Sequence, residues 1–249
     1  MKEVIDFFKV EMKNGGLRFI IKDFMMFLTS SPRKELDEIL RIAKKHNCKF
    51  TFFVVGRVCD SDPELVKKIA EGGHEIASHA YNHVDYSKLT GKEIEEDLRK
   101  SIASLKKLGI KARGFRPPYL LFKKNIYSIS KKVGFSYVSG LEKKGQPFKI
   151  NSIYEAPISP PFDWELIGIK GEKDRKKIMH TWKKQAEAGG VLLFHPWIAG
   201  RLFKKEFEEL VSFKTPIKIE SLINKKKGYS ISIDVGGAGV FSIIKRLIK

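Results

Sequence analysis

Two histidines four residues apart, His79 and His83, follow the strand-like run His74-Glu75-Ile76-Ala77-Ser78. On a helical turn, positions i and i+4 share a face, so both rings can reach one ion. A carboxylate able to complete the set, Asp23, follows a second apolar run, Phe19-Ile20-Ile21. Two imidazoles and one carboxylate suit a borderline ion such as Zn2+ and leave a coordination position for water. That set points to metal-assisted hydrolysis. The alternative is that two of the six histidines fall together by chance.

Other polar residues stand at similar places. His195 directly follows the apolar run Val191-Leu192-Leu193-Phe194 and precedes Pro196-Trp197, which favours a pocket over a buried structural role. Arg116 stands between Gly114-Phe115 and Pro117-Pro118, and the prolines must end any regular element there. Asp85, two residues after His83, is a loop acid and a candidate base. His46 and His180 read as surface residues and His74 as structural. Gly236-Gly237-Ala238-Gly239 resembles a phosphate-cradling turn but lacks a following Gly-Lys-Ser or Gly-Lys-Thr, so it reads as a loop.

Short apolar runs alternating with amphipathic helical patterns must position these residues. Phe19 to Ile21, Phe50 to Val55, His74 to Ser78, Phe135 to Val138, Ile153 to Ala156 and Val191 to Phe194 read as strands, with a further short strand near Ile217 to Ile219. Pro32, Pro63 and the Thr90/Glu93 capping box open helices between them. Repeated strand–helix units give a parallel sheet, and about seven of them can close into a barrel. Asp23, His79, Arg116 and His195 then fall at strand C-terminal ends, where such barrels build their sites. The predicted fold is a single α/β domain, a distorted (β/α)7-type barrel over residues 1–224. Residues 225–249 are predicted to form a basic, Gly-rich turn and a C-terminal amphipathic helix packed on the barrel.

The length of 249 residues suffices for one sizeable core. The net charge of +19 favours acidic partners or a Lys-rich solvated surface. Nucleic acid is disfavoured as a partner. The tail from Val240 to Lys249 is basic and amphipathic, and peripheral contact with an anionic membrane is its alternative to packing on the barrel. Only Cys48 and Cys59 occur, with no disulfide framework, which points to a reducing cytoplasm. Met1 to Lys13 lacks a long apolar core, so no secretory signal is expected, and no stretch of about 18 apolar residues is present to span a bilayer.

Four stretches between Phe19 and Trp197 carry a resemblance: Thr51-Phe52-Phe53-Val54-Val55-Gly56; Gly73-His74-Glu75-Ile76 with His79-Ala80-Tyr81-Asn82-His83; Phe115-Arg116-Pro117-Pro118-Tyr119; and Leu192-Leu193-Phe194-His195-Pro196-Trp197. In order and spacing they are similar to the polysaccharide deacetylases, the NodB homology group or carbohydrate esterase family four. The resemblance implies a divalent ion, Zn2+ first among several, held by Asp23, His79 and His83, and removal of acetyl groups from sugars of a polysaccharide, an oligosaccharide or a carrier-linked glycan. It casts His195 as the acid that protonates the leaving group, Arg116 as the residue that orients the catalytic carboxylate, and Asp163 as the acid that tunes His195. Pro117, Tyr119, Trp164 and Trp197 become the expected lining of the sugar pocket.

Two departures stand out. The family's first motif has two adjacent aspartates, a general base and then a metal ligand; the matching pair here is Lys22-Asp23. Lys22 in the base slot needs a strongly lowered pKa to accept a proton, and leaves Arg116 to pair with Asp163. Its alternative consequence is a protein that keeps metal and glycan but does not turn over. Secondly, Ala80 stands where the family usually has Ser or Thr supporting the histidine loop.

Overall fold

The computed structural model describes residues 32–163, 172–225 and 227–236. The readings placed on Phe19 to Ile21, Lys22, Asp23, Trp164 and the tail from Val240 lie outside these residues.

Helix α1 (Pro32–Lys45) leads into strand β1 (Thr51–Val54), which is buried at every position. Helices α2 (Gly56–Ser61) and α3 (Pro63–Glu71) cross over to β2 (Glu75–Ser78), α4 (Gly91–Lys107) to β3 (Gly114–Phe115), and α5 (Ile126–Lys132) to β4 (Tyr137–Val138). Strands β5 (Phe148–Ile150) and β6 (Ile153–Glu155) form the antiparallel hairpin. Then come α6 (Glu172–Ala188), β7 (Gly190–Phe194), α7 (Lys204–Phe213), α8 (Ile219–Lys225) and β8 (Tyr229–Val235). The sheet order is β5-β6-β4-β3-β2-β1-β8-β7. Ile158 forms parallel bridges to Glu142 and to Val191, and Ser159 N–H donates to Val191 O at 2.8 Å, which draws the β7 edge towards the β4/β6 side. The result is the curled, mixed α/β sheet of a distorted barrel, as the sequence predicts.

Side chains on the central strands alternate between the two faces, as the pleat demands. Phe52, Val54, Leu192, Phe194, Ile231, Ile233 and Val235 join the large core with Leu36, Ile39, Trp182 and Phe207 from the helices. Each such burial contributes about 1.5–3 kcal/mol. Phe53, Ala77, Tyr137 and Val191 form the opposite cluster, which Ile219, Leu222 and Ile223 of α8 close from below. Helix α8 is fixed there by Ile219 N–H donating to Thr51 Oγ1 (2.9 Å) and Glu220 N–H donating to Glu75 Oε2 (3.1 Å), both acceptors lying at strand starts.

Three expectations are corrected. The segment after Lys225 does not begin as an appendage: β8 pairs in parallel with β1 from Thr51↔Ser232 to Val54↔Val235 and with β7 from Gly190↔Tyr229 to Phe194↔Ile233. It satisfies the backbone edges that β1 and β7 would otherwise leave bare. The residues near Ile217 to Ile219 give one ladder-like bond, Ile217 N–H to Tyr229 O at 2.9 Å, and then enter helix α8 instead of a strand. The stretch from His79 to His83 is not a helical turn. It is a loop in which Ala80 (φ 63°) and His83 (φ 53°) take left-handed backbone conformations.

Candidate active site

The strand tips supply the site. The ladder runs one residue past β2 and β3, with His79 N–H donating to Val54 O (2.9 Å) and Arg116 N–H donating to Ser78 O (2.9 Å). These bonds fix His79 and Arg116 side by side, while His195 follows the end of β7 and Asp234 stands near the end of β8. Such C-terminal tips are where side chains from several strands converge.

Asp234 escaped the sequence reading. On β8 the residues Ser230, Ser232 and Asp234 alternate with Tyr229, Ile231, Ile233 and Val235, so the carboxylate lies on the face away from the helix-side core. Arg116 Nη1 donates to Asp234 Oδ1 at 2.7 Å. The guanidinium, fully buried, also donates through Nε to Ser139 O (3.3 Å) and through Nη2 to Ser139 Oγ (2.9 Å), and lies 4.0 Å from the Phe53 ring centroid. Burial pushes the Asp234 pKa up, but the charges of Arg116, His79 and His195 more than reverse this and hold it below the usual carboxylate value. The expected Arg116–Asp163 pair does not form, because Asp163 is engaged by His195. A sequence signal for Asp234 did exist: an alternating run, Tyr229 to Ile233, ending in a carboxylate with Gly236 two residues on.

His79 is buried, and its Nδ1 lies 3.0 Å from Arg116 O. A carbonyl only accepts, so Nδ1 carries the proton and Nε2 keeps its lone pair. That Nε2 lies 3.7 Å from Asp234 Oδ2. Burial holds the His79 pKa below the ordinary value, Asp234 notwithstanding. His83 packs edge-on to His79 (centroids 4.8 Å apart) and against the half-exposed Tyr119 (4.7 Å). Burial and the neighbouring His79 depress the His83 pKa to about 3, and its Nδ1 is buried without a hydrogen-bond partner among the described residues.

His195 is half-buried and places Nδ1 3.0 Å from Oδ1 of the fully buried Asp163, whose Oδ2 accepts the His195 backbone N–H. Burial lowers the His195 pKa, but the Asp163 carboxylate, by charge and hydrogen bond, together with the Asp234 charge, raises it on balance. Burial raises the Asp163 pKa against the opposing pull of His195. Pro117 is buried, Tyr119 and Leu120 have positive φ (58° and 57°), and Trp197 is half-buried against the large core. Asp85 accepts from Ser87 N–H (2.9 Å) and caps a short 3-10 turn, so it is a loop acid.

The two neutral imidazoles fit a divalent ion. His79 Nε2 has a lone pair, and the orphaned Nδ1 of His83 is a buried polar atom in want of a partner. A third ligand is not supplied within the described residues, among which no group of three or more His, Cys, Asp or Glu is arranged to hold a metal ion. Asp234 is bound to Arg116, and Asp163 to His195.

Residues 25–138 match the family described as polysaccharide deacetylase. The chain is 42% identical over 96 residues to the uncharacterized protein YlxY of Bacillus subtilis, covering 38% of this chain and 30% of that protein. It is 26% identical over 160 residues to the peptidoglycan-N-acetylmuramic acid deacetylase PdaA of Bacillus subtilis, covering 64% and 53%. Its fold superposes on a putative polysaccharide deacetylase from Mycobacterium smegmatis with a TM-score of 0.67 at 23% identity, covering 80% of each chain. Residues 25–138, which carry the His79/His83 loop and Arg116, thus match the polysaccharide deacetylase family, and the fold around them is similar to that of the solved structure. It spans 30% and 53% of the lengths of the two curated relatives.

Proposed function

We propose that this protein hydrolyses the acetamide bond of N-acetylated sugars in a polysaccharide, an oligosaccharide or a carrier-linked glycan. The observation that carries this reading is the pair of supported groups on neighbouring strands, Asp234 held by Arg116 and His195 held by Asp163. Asp234, kept ionised, accepts a proton from the attacking water, the task the sequence reading gave to Lys22. His195, with its raised pKa, hands a proton to the departing sugar amine as the C–N bond breaks. Water and amide thus become acetate and amine. Arg116 and Asp163 orient these two groups. His79 and His83 would hold the divalent ion, Zn2+ first, with Asp23 from outside the described residues as the third ligand; bound there, such an ion polarises the acetyl carbonyl. Pro117, Tyr119, Trp164 and Trp197 are the proposed walls of the sugar pocket.

A cytoplasmic setting is part of the proposal. Cys48 and Cys59 are buried and unpaired, with thiol pKa values pushed by burial to about 11 and about 12. No helix among the described residues is long and apolar enough to cross a membrane.

One observation favours a second reading, glycan binding without turnover. In the resemblance the base slot of the family's paired aspartates is filled by Lys22, a cation in place of a carboxylate. Acetate release decides between the readings. The protein is incubated with chitooligosaccharides, peptidoglycan fragments and a nucleotide-linked N-acetylhexosamine, with and without added Zn2+. Release that is lost in Asp234→Asn supports hydrolysis. Oligosaccharide binding with no acetate from any substrate supports the second reading.

A further inference from the structure

The loop that presents His79 and His83 is folded against its own backbone preferences. Ala80 and His83, neither of them glycine, both sit at positive φ, and such conformations persist only where the surroundings over-determine them. Ala80 brings no hydroxyl to help. The restraint comes from Asp97, near the middle of α4, whose first turn is secured by the Thr90/Glu93 capping box.

Three donors of the loop converge on this one carboxylate. Tyr81 N–H donates to Oδ2 at 2.8 Å, Asn82 Nδ2 to Oδ1 at 2.6 Å, and Tyr86 Oη to Oδ2 at 2.7 Å. The donors bracket His83 in sequence, and Asp97 is only 8% exposed. An ionised carboxylate is an acceptor with about four lone-pair sites; three of them are spent on this loop. Other ties hold its base and outer side: Gly56 N–H donates to Ala80 O (2.8 Å), Arg57 N–H to Tyr81 O (3.3 Å) and Tyr81 Oη to Asp60 Oδ2 (3.0 Å), and the Ser78 and Ser101 hydroxyls are paired at 2.7 Å.

We infer that Asp97 is the positioning residue of the histidine pair: it clamps the strained loop so that the imidazoles of His79 and His83 stay side by side. The inference extends the proposed function to a residue that touches neither substrate nor ion. It stands on the loop geometry, so it can be tested without acetate release.

The test compares Asp97→Ala and Asp97→Asn with Leu105→Ala, a core truncation on the same helix. Leu105 belongs to the large helix-side core and not to the cluster that holds Ala80 and Tyr86. The first readout is the histidine ring nitrogen spectrum of the metal-free protein. The second is Zn2+ affinity by calorimetry. In Asp97→Ala the His79 and His83 ring signals are expected to shift or broaden, and Zn2+ affinity to fall roughly 10- to 100-fold, the usual scale for losing a support behind a ligand. Asp97→Asn keeps an acceptor oxygen and is expected to fall between, which also covers failure of the alanine variant to fold. Leu105→Ala is expected to lose stability but keep both signals. Ring spectra in Asp97→Ala and Asp97→Asn that match the native protein overturn the inference, as does an equal disturbance in Leu105→Ala. Native protein that shows the Asp97 effect on the rings yet releases no acetate counts against the proposed hydrolysis alone.

Discussion

Asp234 and Arg116 meet at 2.7 Å inside the barrel although 118 positions separate them in the chain. Both are almost wholly removed from solvent, so each is the counter-charge that makes the other tolerable. Truncating Asp234 to alanine strands a guanidinium, and a loss of about 3–5 kcal/mol is expected from breaking such a pair on one side. Urea unfolding measures it. A double variant, Arg116→Met with Asp234→Leu, is expected to regain much of that loss, and a double variant no more stable than Asp234→Ala argues against the pairing account.

The His195–Asp163 pair predicts a pH dependence with a definite sign. The folded pKa of His195 lies above the ordinary value near 6.5. The stability it contributes is therefore complete below the unfolded value and is lost as pH rises through the folded one. The protonated acid persists over the same range, so acetate release is expected to fall on the alkaline side. Asp163→Asn removes the charge that raises His195, and its alkaline limb is expected to move to lower pH. A pH–rate profile with an unmoved limb contradicts this.

His83 predicts the opposite trend. Its folded pKa is depressed to about 3, so between there and about 6.5 the unfolded chain binds a proton that the native chain refuses. Stability from this group is present above the unfolded value and falls as pH drops below it. His74 adds to the slope, because burial first and then the charges of Lys49 and Lys218 hold it near 4, where its Nδ1 accepts Phe50 N–H at 3.0 Å. Replacing His83 with Phe is expected to flatten the stability curve between pH 6 and 4, on the order of one proton's worth of slope, as measured by denaturant midpoints across that window.

Much of the barrel is legible in the residues, and the reason is local. Phe52 to Val55 and Val191 to Phe194 are unbroken apolar runs because both of their faces are covered. The Thr90/Glu93 capping box is likewise written within one turn. Strand β8 was hidden because its inner face is Ser230, Ser232 and Asp234, so it never forms such a run, and because Lys225-Lys226-Lys227 and the glycines after it resemble the edges of a domain. Its place between β1 and β7 is a long-range fact that no local pattern encodes. The proximity of His79 and His83 was readable from their spacing, but the loop that joins them takes its shape from Asp97, a helix residue with nothing in its own neighbourhood to mark it.

Removal of β8 tests how far the domain depends on it. A chain ending at Lys225 loses four buried side chains from the main core, Tyr229, Ile231, Ile233 and Val235, and exposes two strand edges at once. At about 1.5–3 kcal/mol for each burial, the loss is comparable with the whole stability of an ordinary domain. Such a chain is expected to be insoluble or to lack a cooperative thermal transition. A sharp, reversible melt from it would contradict the central position assigned to this strand.

The position of β8 also has a consequence during synthesis. Strand β1 leaves the ribosome long before its neighbour exists, and at typical elongation rates of about 5–20 residues per second the delay is on the order of ten seconds or more. Through that interval one flank of an apolar strand stands open to whatever passes, so the nascent chain has a built-in need for protection that the finished molecule no longer shows.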